Sequence, residues 1–274
     1  MKALKNHLIL FDAECAMCRI GTQVFVKSGM LDNVGRTAYQ EFPAQACPML
    51  DRHRAANEIA LVNQETGEVT YGVESLFKVF AVSFPVFKRL FLFRPFVSLM
   101  TKVYAFIAFN RRVITPAPHE ANSFELQPTF RLDYRIAYLF ITWIITAFIL
   151  SAYVGQMNGL LPSGNAYREY LICGGQLFFQ GAIISIIHKN KRWDYLGNMM
   201  TISLGGSLLL LPVLLLAQWL NPAPFVYAAW FMGVAGLMLS EHIRRSRLLE
   251  LGWTLTITWV LYRILVLFFI LLSN

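Results

Sequence analysis

The chain has 274 residues, 56% of them hydrophobic and only 15% charged, with a mean hydropathy of +0.49. This composition excludes an ordinary soluble domain and points to membrane. The net charge of +8 would suit nucleic acid. However, the Lys and Arg residues cluster beside apolar segments, where topology and anionic lipid explain them, so the expected partner is lipid and not nucleic acid.

Most acidic residues lie before about residue 133, which implies two domains of different solvent. The expected division is an α/β domain over 1–114, a linker over 115–130, and an all-α membrane domain over 131–274. "MKALKNHLILFDAEC" starts basic, but its apolar stretch is too short for a signal peptide and runs into acid, so the N-terminal domain is expected in the cytosol. Four unevenly spaced cysteines do not form a secreted disulfide framework. In a reducing compartment a C-x-x-C is catalytic or metal-binding more often than structural.

In chain order, "HLILFD" predicts a strand and "CAMCRIGTQVFVKSG" a helix that begins at the cysteines and ends at Gly29. "GRTAYQEF" predicts a second strand, and 44–56 is helical in pattern. "EIALVNQETGEVTYG" predicts a hairpin around Glu-Thr-Gly-Glu, and "VESLFKVFAVSF" a further helix. Residues 84–112 are apolar with interspersed basic residues, and Pro95 divides them into two amphipathic helices suited to the cytoplasmic leaflet or to the membrane helices.

Cys15 and Cys18 thus fall between the first strand and the first helix. A thiol at a helix N-terminus meets unsatisfied N–H groups and the positive end of the dipole, which favour thiolate over thiol. Cys15, the more N-terminal and expected to be the more exposed, is the attacking nucleophile, and Cys18 the resolving thiol. Two alternatives stay open. One is a zinc site recruiting Cys47 and His53, whose spacing is unfamiliar, so no metal is expected. The other is a pair of buried, inert thiols.

"FDAECAMC" resembles the D-G-x-C-x-x-C signature of the DCC family of thiol-disulfide oxidoreductases, a thioredoxin-like group. "YGVES" and "VYAFIAFNRRVI" are similar to that family's distal motifs, so the resemblance covers about residues 7–114. It implies a thioredoxin-like fold, dithiol redox chemistry, and a protein or small-molecule disulfide or thiol as substrate. The family's usual Gly after the Asp is Ala13 here, and no proline precedes the expected strand at Glu58. Asp12 has two readings: it ends the strand and caps the helix, or, as the resemblance implies, it accepts a proton from Cys18.

From Tyr134 onward five runs are long enough for a hydrocarbon core of roughly 30 Å: about 134–154, 168–188, 195–220, 224–242 and 251–272. Arg131 and Arg135, "HKNKRWD" and "EHIRRSR" alternate with the uncharged "GQMNGLLPSGN", "NPAP" and terminal "SN". The positive-inside rule then puts the N-terminal domain in the cytoplasm and the C-terminus outside, in a bacterial-type inner membrane.

Arg263 stands inside the last run, where Arg costs about 2.5–3.5 kcal/mol on insertion scales. Helical rise puts it level with Gln176, Thr146 and Ser207, and Gln176 shares a helix face with Cys173 and Gln180. Either these residues hold helices together, or Arg263, Gln176, Gln180 and Cys173 bind an anionic or quinone-like ligand. No cofactor is required, and a quinone is the one candidate.

Two functions follow: a membrane-anchored thiol-disulfide oxidoreductase, or a membrane binding or transport protein whose thiol domain senses redox state or delivers cargo.

Overall fold

The computed structural model of the protein describes residues 2–116, 127–162, 164–220 and 222–272. Much of the expected linker and the terminal "SN" therefore lie outside the described residues. The chain divides into two compact units, Met1–Tyr134 and Arg135–Asn274.

The first unit runs β1 (His7–Phe11), α1 (Ala16–Lys27), β2 (Arg36–Ala38), α2 (Arg52–Asn57), β3 (Ala60–Asn63), β4 (Val69–Tyr71) and α3 (Gly72–Ser83). Its four strands form one sheet in the order β2-β1-β3-β4. β1 pairs parallel with β2, with Ile9 opposite Arg36 and Phe11 opposite Ala38. It pairs antiparallel with β3, with Leu10 opposite Ala60, and β3 and β4 form the hairpin.

All five β1 residues are buried, as expected of a strand covered on both faces. Ile9 packs with Phe25 of α1 and Val79 of α3. Leu8 and Leu10 point the other way, to Cys47 and to Ala55 and Ala56 of α2. Since successive side chains alternate faces, one pentapeptide supplies both halves of the core and holds the following turn, with its cysteines, at the sheet's end.

Two elements are shorter than their patterns suggest. The strand expected over 35–42 is only Arg36–Ala38. The helical stretch expected over 44–56 is a 3-10 turn at Ala44–Ala46, followed by α2 with Asp51 as its N-cap. Pro48 interrupts the stretch, and Asp51 accepts the Arg54 N–H at 3.0 Å, starting the helix afresh. Beyond α3 come α4 (Lys88–Leu92) and α5 (Arg94–Ile114). The chain turns by 85° at Phe93, and Pro95 sits in the first turn of α5, where its missing N–H costs nothing.

The second unit is a bundle containing α6 (Leu132–Val154, which starts at the unit boundary), α7 (Arg168–Ile187), α8 (Arg192–Leu220), α9 (Pro224–Leu248) and α10 (Thr254–Leu272). All five are long and apolar enough to cross a membrane. Their outward side chains include Phe148, Phe178, Ile186, Leu237 and Phe268, all exposed. Such surface would be costly in water and belongs against hydrocarbon. α9 runs past its expected end to Leu248, because Glu241 accepts hydrogen bonds from Arg244 and Arg245 within the helix. At Gly174 an added Cβ would lie 2.8 Å from the Trp143 ring, so the small residue of α7 makes room for the indole of α6.

Candidate functional site

The dithiol sits where β1 leaves the sheet. Cys15 is the N-cap of α1, with φ −97° and ψ 108°, and its Sγ accepts the Cys18 N–H at 3.3 Å. A thiol has replaced the usual hydroxyl or carboxylate cap, which satisfies one of the helix's orphan donors.

A hydrogen bond from the Cys18 thiol outweighs burial and, with the Cys18 N–H and the Arg111 charge also helping, pulls Cys15 down to about 6 from 9.0. Donating that hydrogen bond, together with burial and the charge on Cys15, pushes Cys18 well up. The two thiols are thereby separated into one that favours the thiolate and one that keeps its proton.

Cys15 is not the exposed member of the pair. It is 2% exposed against 9% for Cys18, because its sulfur turns back onto the first turn of α1 among Phe11, Ala38 and Cys18.

Asp12 lies beneath the pair, also buried. Its Oδ2 accepts from Arg111 Nη2 at 2.7 Å. Its Oδ1 accepts from Gln40 Nε2 at 2.9 Å and from the Glu14 N–H at 3.0 Å. It therefore braces the turn before α1, and the cap position itself belongs to Cys15. No hydrogen bond joins Asp12 to Cys18 among the described contacts, and its oxygens already serve three donors.

Arg111, 99 residues away in α5, also donates to the carbonyls of Asn57 (Nη1) and Ala56 (Nη2), each at 2.7 Å. It ties α5, α2 and the cysteine turn together. Arg112 pairs with Glu14 at 2.8 Å. Neither arginine was singled out individually from sequence. The signal was the "NRR" inside "VYAFIAFNRRVI", which carries the pair that reaches back to the acids flanking Ala13.

"YGVES" has a structural explanation as well. Gly72 opens α3 with φ +63° and donates its N–H to Ile59 O at 2.8 Å, which closes the hairpin onto the helix. Ser75 Oγ then donates to Thr70 O at 2.6 Å. Cys47 packs in the cluster on the other face of the sheet. Among the described residues no three of His, Cys, Asp and Glu gather as a metal site.

In the bundle, Arg263, Gln176, Thr146, Ser207 and Cys173 line one cavity, with methionines 199, 200 and 238. Three of its polar atoms, Arg263 Nε, Gln176 Nε2 and Thr146 Oγ1, are enclosed without a hydrogen-bond partner. The Arg263 guanidinium lies 4.5 Å from the centre of the Trp259 ring. Such a contact contributes about 0.5–2 kcal/mol, against a desolvation cost of several kcal/mol for a buried ion.

Gln180 does not join this cavity. Its Oε1 accepts from Tyr195 Oη at 2.8 Å and its Nε2 donates to Thr258 at 3.2 Å. Tyr195 in turn reaches His242 Nε2 at 3.1 Å. One turn of α7 separates a partnered glutamine from an unpartnered one, because only Gln180 faces Tyr195 of α8.

No protein-family model, curated protein or solved structure matches the chain.

Proposed function

We propose that the protein is a membrane-anchored thiol-disulfide oxidoreductase whose first unit is a thioredoxin-like, DCC-type dithiol module. The observation that carries this reading is the asymmetry of the pair. Cys15 caps the helix with its thiol drawn down to about 6, while Cys18 holds its proton one turn further on. The element order of the first unit is the one that the resemblance implies, which supports the fold assignment without depending on the motif alone.

In the proposed reaction the Cys15 thiolate attacks one sulfur of a substrate disulfide. The S–S bond breaks, a mixed disulfide forms, and the departing thiolate takes up a proton. Cys18 then gives up its proton to solvent and attacks Cys15 Sγ, releasing the second substrate thiol and leaving a Cys15–Cys18 disulfide. The dithiol is oxidised and the disulfide reduced, and an external dithiol reductant restores the enzyme. Because Cys15 is almost enclosed among Phe11, Ala38 and Cys18, the reading favours a slim or extended disulfide.

The charge pattern of the loops supports a cytoplasmic first unit and an external C-terminus in a bacterial-type inner membrane. The full-length protein, reduced and freed of reductant, should reduce a peptide disulfide stoichiometrically, and Cys15→Ser should abolish this. Undiminished reduction by the variant would refute the proposal.

A second reading, that the bundle binds or transports a ligand of its own, draws on Arg263 and its unpartnered neighbours.

A further inference from the structure

The bundle unit has four acidic residues, and each already faces a base. Glu169 pairs with Arg168 at 2.9 Å, Asp194 with Arg135 at 3.4 Å, Glu241 with Arg244 and Arg245, and Glu250 with Lys191 at 3.4 Å. Among the described residues Arg263 pairs with no acid, and none of the cavity's lining side chains is a carboxylate.

The atoms left without partners around it are donors or can donate: Arg263 Nε, Gln176 Nε2 and Thr146 Oγ1. Gln176 and Thr146 are themselves 5% and 2% exposed. A cation whose Nε is enclosed beside two further unsatisfied donors calls for one acceptor carrying negative charge.

Size then narrows the ligand. The cavity measures about 20 Å³, enough for one water-sized body, whereas a benzene-sized ring occupies a cavity of about 150 Å³. A quinone ring does not fit this space, but a single halide-sized ion does. Met199, Met200 and Met238 complete a largely apolar wall, which admits a weakly hydrated anion at lower desolvation cost than a strongly hydrated one.

We propose that the bundle binds one monovalent anion of halide size, chloride in the cell, between Arg263 of α10, Gln176 of α7 and Thr146 of α6. The site supplies the charge that Arg263 lacks and ties three helices together. It stands apart from the dithiol chemistry and gives the second reading a ligand class; binding, and not transport, is what it asserts.

The test uses the full chain in nanodiscs of zwitterionic lipid, unfolded by heat and followed by tryptophan fluorescence, with sodium chloride or bromide replacing sodium gluconate at constant ionic strength. The halide should raise the midpoint saturably, by about 5–10 °C at a concentration a hundredfold above half-saturation. Arg263→Met and Gln176→Leu should lose that response, and Cys15→Ser should keep it.

Equal midpoints in halide and gluconate for the native chain would overturn the proposal, as would an unchanged response in Arg263→Met. If the variants fail to fold, bromide-soaked crystals of the native chain decide the matter. An anomalous peak beside Arg263 Nε and Gln176 Nε2 supports the site, and its absence at saturating bromide refutes it.

Discussion

Arg111→Met is the most informative perturbation of the first unit. The side chain is 5% exposed and holds Asp12 at 2.7 Å while serving two backbone carbonyls. Removing it leaves a buried carboxylate with only Gln40, the Glu14 N–H and Arg112 at 4.0 Å. Breaking a buried pair in this way costs about 3–5 kcal/mol.

All six tryptophans lie at or beyond residue 143, so their fluorescence reports on the second unit only. The assay is instead alkylation of Cys47, which is buried in the first unit, in a background with Cys15, Cys18 and Cys173 replaced by serine. Where opening is fast and reversible, 3–5 kcal/mol converts to labelling faster by roughly 10²–10³·⁵-fold. The double variant Asp12→Asn/Arg111→Met should recover much of the loss, since it no longer buries an unpaired charge. An acceleration below about fivefold, or no recovery in the double variant, would refute the buried pair as the brace of the turn.

Two further predictions concern the same unit. Thiolate absorbance near 240 nm, taken as the difference from Cys15→Ser, should titrate with a midpoint of about 6. In Cys18→Ala, which removes the largest cause of the shift, the midpoint should rise towards 9.0; an unmoved midpoint refutes the thiol-to-thiol hydrogen bond. Because the folded value of Cys15 is depressed, its thiolate stabilises the reduced unit fully above the unfolded value of about 9. That stabilisation is lost as pH falls through 6, so opening measured at Cys47 with Cys15 and Cys18 intact should grow in that direction. Gly72→Ala forces a Cβ to within 2.6 Å of a Glu58 carboxylate oxygen at φ +63°. It should cost about 1–2 kcal/mol, read by the same labelling, and a neutral outcome would show that the α3 start adapts freely.

Much of this organisation was legible in the sequence, and the exceptions have physical reasons. The five long helices announce themselves through continuous apolar runs, and the strand before Asp12 through its composition. Helical rise alone puts Arg263, Gln176, Thr146 and Ser207 at one level, and one cavity gathers them. Depth says nothing about azimuth, however, and Gln180 turns to Tyr195 instead.

The partner of Asp12 was hidden for a different reason. A contact between residues 12 and 111 leaves no local periodicity, and "NRR" at the end of an amphipathic helix reads as part of a basic face for the cytoplasmic leaflet or the membrane helices. The burial of Cys15 escaped for a third reason, since it depends on which way a cap side chain folds, and a spacing of two cysteines does not encode that. Ala13 needs no glycine here, because Asn6 and Glu250 are the only non-glycine residues with positive φ among those described.

The Asp12–Arg111 pair also sets an order in time. During synthesis β1 and the cysteine turn leave the ribosome about a hundred residues before their counter-ion, so until α5 has emerged Asp12 stays wet and its turn unbraced. Thr129, whose N–H reaches Asn57 Oδ1 at 2.7 Å, follows Arg111 by only 18 positions, and α6 starts at Leu132. At roughly 5–20 residues per second, that leaves about 1–4 s between completion of the cysteine turn and the start of α6. The cysteine turn would thus gain its brace in the same few seconds in which the first of the long apolar helices begins to emerge.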